Sequence, residues 1–377
     1  MDLFYSPMSG GSWFKVATIA GAAGQLELAQ NSHSSAKEFA SILGAEISWL
    51  PSNYLKMVEF ITPGPEGSAY LLPKTVLRDH LTRESKKING LLAVRENAQY
   101  LQNWLLIRAF LDSLQQPIVN REAVEALMEG TDGTKLSSLR SFLPISGTLA
   151  PSITYSTAAT VTGRLTVKEG PRVLTSIAEI RSCFKSSFPD GKIVQLDLTS
   201  VEPRVALHVL GRTPSADLYQ DFADELNIER DVAKLAILTA LYGGALSRVA
   251  SNLPAGASAQ TLMRKVRTKL GKTELISKLE ADLKTGPIRN IFGRPLLHSK
   301  DKRILLNHFL QSSAAELSII AFSTICGIFS NIKPLYVIHD ALILDVQTDD
   351  LEALKQAGTN YSYQGTKFPM TLEILSG

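Results

Sequence analysis

The sequence predicts an α+β fold, because helical and strand-like segments occupy separate stretches of the chain. Residues 71–145 carry apolar side chains at helical spacing. Lys192–Leu198 and Pro334–Val346 are instead rich in β-branched and apolar residues, and the second segment has a turn at its centre. No internal repeat or low-complexity tract interrupts this order. A protein that mixes helices with a sheet is therefore expected.

Composition and charge fit a folded protein. Of the 377 residues, 45% are hydrophobic and 20% are charged, which argues against a disordered chain. Lys and Arg number 39 against 36 Asp and Glu, so the net charge is +3 and any basic surface for a nucleic acid must be local. The only cysteines, Cys183 and Cys326, exclude a disulfide scaffold and a multi-cysteine zinc site.

The N-terminus lacks the basic start and long apolar run of a secretory signal. The most apolar later stretch, Leu317–Phe329, is interrupted by polar residues and is too short to span a bilayer. We therefore expect a soluble cytoplasmic protein without a membrane partner.

The individual elements follow from periodicity and from Gly, Pro and Ser breaks. Residues 1–70 form short segments between such breaks, and no chemistry is assigned to them. The expected elements after them are a helical run Glu84–Leu114, a strand Lys192–Leu198, a helix from about Val201, a helix 228–245, a basic helical region 258–283, a long apolar helix 301–330, the hairpin Pro334–Val346, a short helix 349–357 and a strand Met370–Leu375.

Two aspartates stand at the ends of predicted strands. Asp197 closes the strand Lys192–Leu198, and Asp340 lies in the turn of the predicted hairpin. Such carboxylates project into a cleft, and a pair of them can hold two divalent cations about 3.5–4 Å apart for a phosphoryl displacement. Magnesium suits this role because it prefers hard oxygen ligands. Taken alone, an Asp in a turn is also ordinary turn chemistry.

A stripe of four side chains recurs every fourth residue: Arg230, Lys234, Leu238 and Tyr242. On a helix these positions form one slowly drifting line. Two cations a turn apart can bind a triphosphate, an apolar side chain can cover a sugar or base, and an aromatic ring can stack on a base. Gly243-Gly244 then ends the helix. The alternative is an amphipathic helix with a solvated basic edge.

A second stripe consists of Arg303, Asn307 and Gln311. Hydrogen-bonding side chains at this spacing share one helix face and can reach the acceptors of a duplex minor groove with little dependence on sequence. The alternative is the polar solvent edge of a core helix.

Five short motifs, in order from about residue 133 to the C-terminus, now resemble one family. They are Thr162–Leu165 (TGRL, similar to TGRLS), Asp197–Arg204 (similar to motif A, DYSQIELR), Arg230–Gly243 (similar to motif B, RxxxKxxxFxxxYG), the Arg303/Asn307/Gln311 helix, and His339-Asp340 (similar to motif C, HDE). Together they resemble the family A DNA polymerases, the group of bacterial polymerase I and its phage relatives.

The resemblance implies a right-hand polymerase with an antiparallel palm sheet, helical fingers and a reduced helical thumb. It divides the chain into an N-terminal region of unassigned role (1–70), a reduced thumb (71–150), a first part of the palm with motif A (151–208), fingers with motif B (209–295) and a second part of the palm with motif C (296–377). A compact phage-type enzyme, or one subunit of a divided polymerase, is expected in the cytoplasm of a bacterial or phage-infected cell.

The implied activity is DNA-templated DNA synthesis. A primer 3′-hydroxyl attacks the α-phosphorus of a deoxynucleoside triphosphate and releases pyrophosphate, with two Mg²⁺ ions held by Asp197, Asp340 and the Leu198 carbonyl. Positioning and charge neutralisation carry such a reaction. Residues 1–70 lack the spaced acidic residues of a 3′–5′ exonuclease, so no proofreading is expected. A separate exonuclease, processivity or helicase–primase protein is a candidate partner.

The other site residues are carried over from the same motifs. Arg230 and Lys234 would hold the triphosphate, with Leu238 beside it and Tyr242 by the templating base. Glu202 would obstruct a ribose 2′-hydroxyl. The residues expected to contact primer–template DNA are Arg164, Arg204, Arg303, Asn307, Gln311 and His339.

The sequence departs from the family pattern at Ala341, where motif C has Glu, and at Leu238, where motif B has an aromatic residue. These departures keep open a second hypothesis, a catalytically weakened polymerase-fold subunit that binds DNA within a larger replication complex. A third, a single-subunit RNA polymerase, is disfavoured by Glu202 and the Asn307/Gln311 helix.

Overall fold

The chain divides into two compact units in the computed structural model. The first comprises Met1–Leu105 and Phe292–Leu297, and the second comprises Leu106–Ile291 and His298–Gly377. The residues that the structure describes are 3–7, 13–21, 24–29, 35–48, 50, 54, 73–254, 257–297 and 302–376.

The first unit contains a three-stranded antiparallel sheet and helices. Its elements are β1 (Leu3–Pro7), β2 (Trp13–Gly21), β3 (Gly24–Ala29), α1 (Ser35–Ile42), α2 (Lys74–Leu92) and the start of α3 (Arg95–Asp112). Phe39 packs against Tyr100 and Trp104 with ring centroids 5.8 and 5.2 Å apart. Buried Arg294 donates to the Tyr100 hydroxyl at 3.0 Å, which ties the segment Phe292–Leu297 to this core.

The helical run predicted over Glu84–Leu114 is two helices rather than one. α2 ends at Leu92 and α3 begins at Arg95. The Asn97 side chain donates to the Leu91 carbonyl at 2.8 Å and so satisfies one of the carbonyls that a helix end leaves without a partner. Periodicity alone did not reveal this break, because both helices bury apolar residues at the same spacing.

The second unit is built on a four-stranded sheet surrounded by helices. Its elements are β4 (Ile118–Val119), α4 (Arg121–Met128), α5 (Gly133–Arg140), β5 (Thr154–Ser156), β6 (Thr166–Glu169), β7 (Phe184–Lys185), β8 (Gly191–Leu198), α6 (Val201–Val209), α7 (Leu218–Leu226), α8 (Arg230–Tyr242), α9 (Leu246–Ala250), α10 (Ala259–Lys269), α11 (Lys272–Leu283), α12 (Lys302–Cys326), β9 (Ile332–Ile338), β10 (Ala341–Gln347), α13 (Leu351–Thr359), β11 (Ser362–Tyr363), β12 (Thr366–Lys367) and β13 (Met370–Ser376).

The central sheet has the strand order β13-β8-β10-β9, and every pairing in it is antiparallel. The antiparallel sheet predicted from the sequence is confirmed. Along the end of β8, Leu196 and Leu198 are buried whereas Gln195 and Asp197 are partly exposed. Because successive side chains of a strand point to opposite faces, this alternation places Asp197 on the open face of the sheet.

α12 is the long apolar helix of this unit, with 25 residues. Its segment Ile304–Cys326 is long and apolar enough to cross a membrane, yet 67% of the most apolar window is buried inside the protein. The apolar segment is thus longer than the stretch Leu317–Phe329 on which the expectation of no membrane span rested. Its burial fits the core helix of a folded unit.

The outer edge of β9 is covered by a buried tyrosine. The Tyr155 hydroxyl donates to the Val337 carbonyl at 2.8 Å and accepts from the Val337 N–H at 3.2 Å. The Gln115 N–H donates to the Pro334 carbonyl further along the same strand, at 2.8 Å. An edge strand with paired backbone groups cannot recruit another chain, so these contacts close this side of the sheet.

We expect Tyr155→Phe to lower the free energy of unfolding by about 1–3 kcal/mol, because it leaves two buried backbone groups of Val337 without this partner. Urea unfolding followed by circular dichroism measures the loss. Tyr336→Phe is the matched control, since the Tyr336 hydroxyl is buried with no hydrogen-bond partner among the described residues. Equal losses in the two variants would contradict the role given to Tyr155.

Candidate active site

The strand β8 and the helix α6 present the residues of the first acidic motif. The chain leaves β8 at Leu198 and turns through Ser200, whose φ of 55° lies in the left-handed region, before α6 begins at Val201. Pro203 falls in the first turn of α6, where a missing N–H costs little.

The second aspartate sits in a two-residue hairpin loop. Ile338 pairs with Ala341, so His339 and Asp340 alone connect β9 to β10. His339 has a φ of 54°, a conformation uncommon for a residue other than glycine. Strained backbone of this kind is found where a functional group must be aimed, and here it turns the chain at Asp340.

The two aspartates occupy neighbouring positions across the sheet. Asp197 pairs with Ala341, and the Leu198 N–H donates to the Asp340 carbonyl at 3.0 Å. The β8–β10 register therefore brings two residues that lie far apart in the sequence to adjacent positions of the sheet.

The pKa of Asp340 shows that the charge of Asp197 acts on this carboxyl group. Burial first, and then the charges of Glu202 and Asp197, raise the pKa of Asp340 to about 7, against the opposing effects of Arg164 and the nearby Ser318 hydroxyl. The negative charge of Asp197 is thus one cause of the raised pKa of Asp340.

Asp197 has its own charged neighbours. Burial raises the pKa of Asp197, the charges of Arg181 and Lys234 oppose that rise, and Glu373 adds to it. Acidic groups thus accumulate at this end of the sheet, with cationic side chains around them.

The donor set fits magnesium. No group of three or more His, Cys, Asp or Glu side chains among the described residues is arranged to hold a metal ion. Magnesium does not need one, because it keeps several waters and binds through one or two carboxylates together with substrate phosphates. Two carboxylates that repel each other supply such a set, with the Leu198 carbonyl as the further candidate ligand.

Five of the predicted site residues line one cleft: Arg164, Glu202, Gln311, His339 and Asp340. Asp197 is not among the residues that line it. A guanidinium nitrogen of Arg164 lies 3.7 Å from a carboxylate oxygen of Glu202. The rest of the lining is largely apolar and comes partly from α12, through Ala314, Ala315 and Ile319.

The predicted stripe on α8 lies on its unburied side. Arg230 and Lys234 are exposed and Leu238 and Tyr242 are partly buried, whereas most of the residues between them are buried. Lys234 faces the acidic end of the sheet, since its charge lowers the pKa of Asp197. Arg230 forms an ion pair with Asp217, with Nε 2.9 Å from Oδ2.

The last turn of α8 contacts both Glu202 and α12. The Tyr242 hydroxyl is buried, and burial, then the Glu202 carboxylate, raise the pKa of Tyr242. The Asn307 side chain donates to the Tyr242 carbonyl at 3.4 Å. α8 ends at Gly243, whose φ of 78° is favourable for glycine, as the Gly-Gly pair predicted.

The structure contradicts the DNA contact expected of Arg204. Its side chain is 1% exposed and donates to the carbonyls of Thr199 at 3.1 Å, Lys367 at 3.2 Å and Ala216 at 2.6 Å. Arg204 therefore braces the turn after β8 from inside the fold. The resemblance to motif A identified an Arg at position 204 but gave no information on its burial. The apolar neighbours of Arg204 on α6 were the available signal.

The other residues predicted to contact DNA differ in their exposure. His339 is exposed at the cleft, and Asn307 and Gln311 are partly buried on α12. The side chain of Arg303 lies outside the described part of the chain. In the basic region after α8, Arg264, Lys265 and Arg267 are exposed, whereas Lys269 pairs with Asp221 and Glu225.

Sequence reasoning missed several neighbours of the site. Arg181 donates to Gln195 at 2.5 Å beside Asp197, and Tyr219 lies beneath the two cations of α8. Strand alternation could have placed Gln195 on the face of Asp197. Arg181 and Tyr219 reach the site only through tertiary packing, so no local pattern marks them.

The chain is similar to known proteins in its structure. No protein-family model and no curated protein sequence matches the chain. Among 133 matching chains of solved structure is the POL domain of Pol1 from M. smegmatis, in complex with DNA primer–template and dNTP. The match covers 90% of this chain and 80% of that one, with a TM-score of 0.55 and 15% identity.

The chain has the fold of a DNA polymerase domain. The predicted α+β right-hand architecture is thereby confirmed, since a likeness at 15% identity extends to the fold. Within this polymerase fold, β13-β8-β10-β9 is the antiparallel palm sheet, and its acidic end carries Asp197 and Asp340.

We expect Arg204→Ala to lower the free energy of unfolding by about 3 kcal/mol or more, because a large buried side chain is removed and three carbonyls lose a charged donor. Thermal unfolding measures the loss. Arg164→Ala is the control, because the Arg164 side chain is 53% exposed and its removal should leave the unfolding midpoint almost unchanged. If the Arg204→Ala variant were as stable as the wild type but bound DNA more weakly, the original prediction that Arg204 contacts DNA would be supported.

The pH dependence of stability tests the repulsion at Asp340. In EDTA, folded Asp340 keeps its proton up to about pH 7, whereas an unfolded Asp loses it near 3.8. Stability should therefore fall as the pH rises from about 4 to 7, by at most about 4 kcal/mol. Asp340→Asn should flatten this slope in urea unfolding, and Mg²⁺ at pH 8 should stabilise only the wild type. If the unfolding free energy changed equally with pH in the wild type and in Asp340→Asn, the raised pKa of Asp340 would be contradicted.

Proposed function

We propose that this chain is a DNA-templated DNA polymerase, which extends a primer 3′-hydroxyl with deoxynucleoside triphosphates and lacks proofreading. The observation that carries the proposal is the adjacency of Asp197 and Asp340 across the β8–β10 pair, with Asp340 lining a cleft that also holds Arg164, Glu202 and His339, within a polymerase fold. The similar Pol1 domain is complexed with primer–template and dNTP. We assign the same two classes of ligand to this chain.

The carboxylates of Asp197 and Asp340, with the Leu198 carbonyl, would hold two Mg²⁺ ions. When bound, such ions stabilise the attacking and leaving oxygens of a phosphoryl displacement. The protein's own contribution is to aim both carboxylates at one place through the β8–β10 register and the strained turn at His339. The mutual repulsion of the carboxylates favours a cation between them.

The cationic side chains of α8 bind and orient the nucleotide in this proposal. Arg230 and Lys234 are exposed one turn apart, and Lys234 already faces Asp197. They would neutralise the triphosphate, so that the α-phosphorus lies near the metal-binding carboxylates. Leu238 and Tyr242 continue the stripe toward the base.

In this proposal Glu202 selects deoxyribose over ribose, and side chains of α12 contact the primer–template duplex. The Arg164 guanidinium holds the Glu202 carboxylate in the cleft, where it would meet a ribose 2′-hydroxyl. Gln311 and His339 line the same cleft, and Asn307 lies along α12 from Gln311. With Arg303 they would contact the minor groove of the primer–template.

A catalytically weakened DNA-binding subunit is the second candidate. Ala341, which replaces the motif C Glu, is 6% exposed and pairs with Asp197, so that no third carboxylate is supplied from this position. Leu238 can pack against a sugar but cannot stack as an aromatic ring does. This candidate predicts tight binding of primer–template without nucleotide incorporation in Mg²⁺ or Mn²⁺.

The wider assignments follow from the same proposal. Residues 71–150 would form a reduced thumb, 209–295 the fingers, and 151–208 with 296–377 the two parts of the palm. The protein would act in the cytoplasm of a bacterial or phage-infected cell, where a separate exonuclease, processivity or helicase–primase protein supplies what the chain lacks.

Primer extension is the direct test. Asp197→Ala and Asp340→Ala should each lower the rate of deoxynucleotide incorporation by several orders of magnitude, because each removes a metal ligand. Asp349→Ala is the control, because Asp349 is an exposed carboxylate just beyond the far end of β10. This variant should extend the primer at the wild-type rate. Equal extension by all four proteins would refute the proposed chemistry. Binding without extension by the wild type would favour the second candidate.

A further inference from the structure

An acidic residue outside the catalytic pair holds one of the two cations of α8. The Asp217 carboxylate lies 2.9 Å from Nε of Arg230, and its second oxygen lies 3.4 Å from Nη2. Both side chains remain about half exposed, at 48% and 46%. Arg230 is therefore already paired with an anion at the place where a triphosphate would bind.

A buried aromatic ring lies beneath the same cations. The Arg230 guanidinium carbon is 5.6 Å from the centroid of the Tyr219 ring, and the Lys234 ammonium is 5.9 Å from it. Both distances are within the range of cation–π attraction. The Ser200 side chain, in the turn that follows Asp197, lies close enough to Tyr219 to oppose the burial that raises the pKa of Tyr219. The ring thus connects the cations of α8 with the metal-binding end of β8.

The segment that carries Asp217 is fixed on both sides. Buried Arg204 donates to the carbonyl of Ala216, and Asp217 caps α7 by accepting from the Gln220 N–H at 3.0 Å. Arg230, in contrast, is a long side chain in the first turn of α8. In an exchange of partners, Asp217 would stay in place and Arg230 would move.

Resting on the proposed function, we infer that Asp217 is a positioning residue that holds Arg230 beside Tyr219 and releases it to the incoming triphosphate. A half-exposed ion pair contributes little to stability, so its loss is easily offset. A triphosphate offers more charge and accepts the guanidinium in a bidentate way. The Asp217 carboxylate therefore competes with the nucleotide for Arg230 and weakens nucleotide binding.

Asp217→Asn removes the negative charge that pairs with Arg230 but keeps the N-cap of α7, because Asn caps a helix as well as Asp does. The matched control is Asp221→Asn on the same helix, whose carboxylate pairs with Lys269 at 3.3 Å. The dissociation constant of the next correct deoxynucleoside triphosphate is measured on a primer–template whose primer lacks a 3′-hydroxyl. KM and kcat are measured on an extendable primer.

We expect Asp217→Asn to lower the dissociation constant and KM about threefold to tenfold, with kcat within twofold of the wild type. Asp221→Asn should change neither constant. Arg230→Ala should raise the dissociation constant, and adding Asp217→Asn to it should have no further effect, because the competition acts only through Arg230.

Three results would overturn the inference. An unchanged or weaker affinity in Asp217→Asn, with Arg230→Ala still harmful, would remove the competition and leave the proposed function standing. An equal gain from Asp217→Asn with and without Arg230 would show a general charge effect. A wild type that binds no triphosphate at all would overturn the inference together with the proposed function.

Discussion

The close approach of Asp197 and Asp340 is the constraint on which the rest of the site depends. Two carboxylates that repel each other are unfavourable without a cation, and burial makes the repulsion stronger. The β8–β10 register enforces this approach, and the hairpin loop that supplies Asp340 accepts a strained backbone at His339. Backbone pairing over the whole length of β10 keeps Asp197 and Asp340 adjacent, although their charges repel each other.

The surrounding charges are arranged around this acidic centre. Arg164 faces Glu202, Arg181 and Lys234 face Asp197, and Arg230 is held one turn away on the exposed side of α8. The buried Arg204 donates its hydrogen bonds to three carbonyls of the protein, and its charge acts on Asp217 and Tyr219. Exposure therefore separates the cations that can meet a ligand from the one that supports the fold.

Much of this could be predicted from the sequence because it rests on local patterns. The strand before Asp197, the hairpin around Asp340 and the stripe from Arg230 to Tyr242 are set by periods of two and of about four residues, which any single sequence displays. The helix break at Ala93 and Val94 was not predictable because the apolar spacing is the same in both helices. The burial of Arg204 and the position of Tyr219 under two cations depend on tertiary contacts. No periodicity encodes such contacts.

The central claim is most directly tested by a crystal structure of the protein with primer–template DNA, a non-hydrolysable deoxynucleoside triphosphate and Mn²⁺, with anomalous data to locate the metal. Two manganese sites bridged by the carboxylates of Asp197 and Asp340, with the triphosphate between them and α8, are the expected result. Carboxylates that point to different places, or a nucleotide bound without metal at either aspartate, would contradict the account.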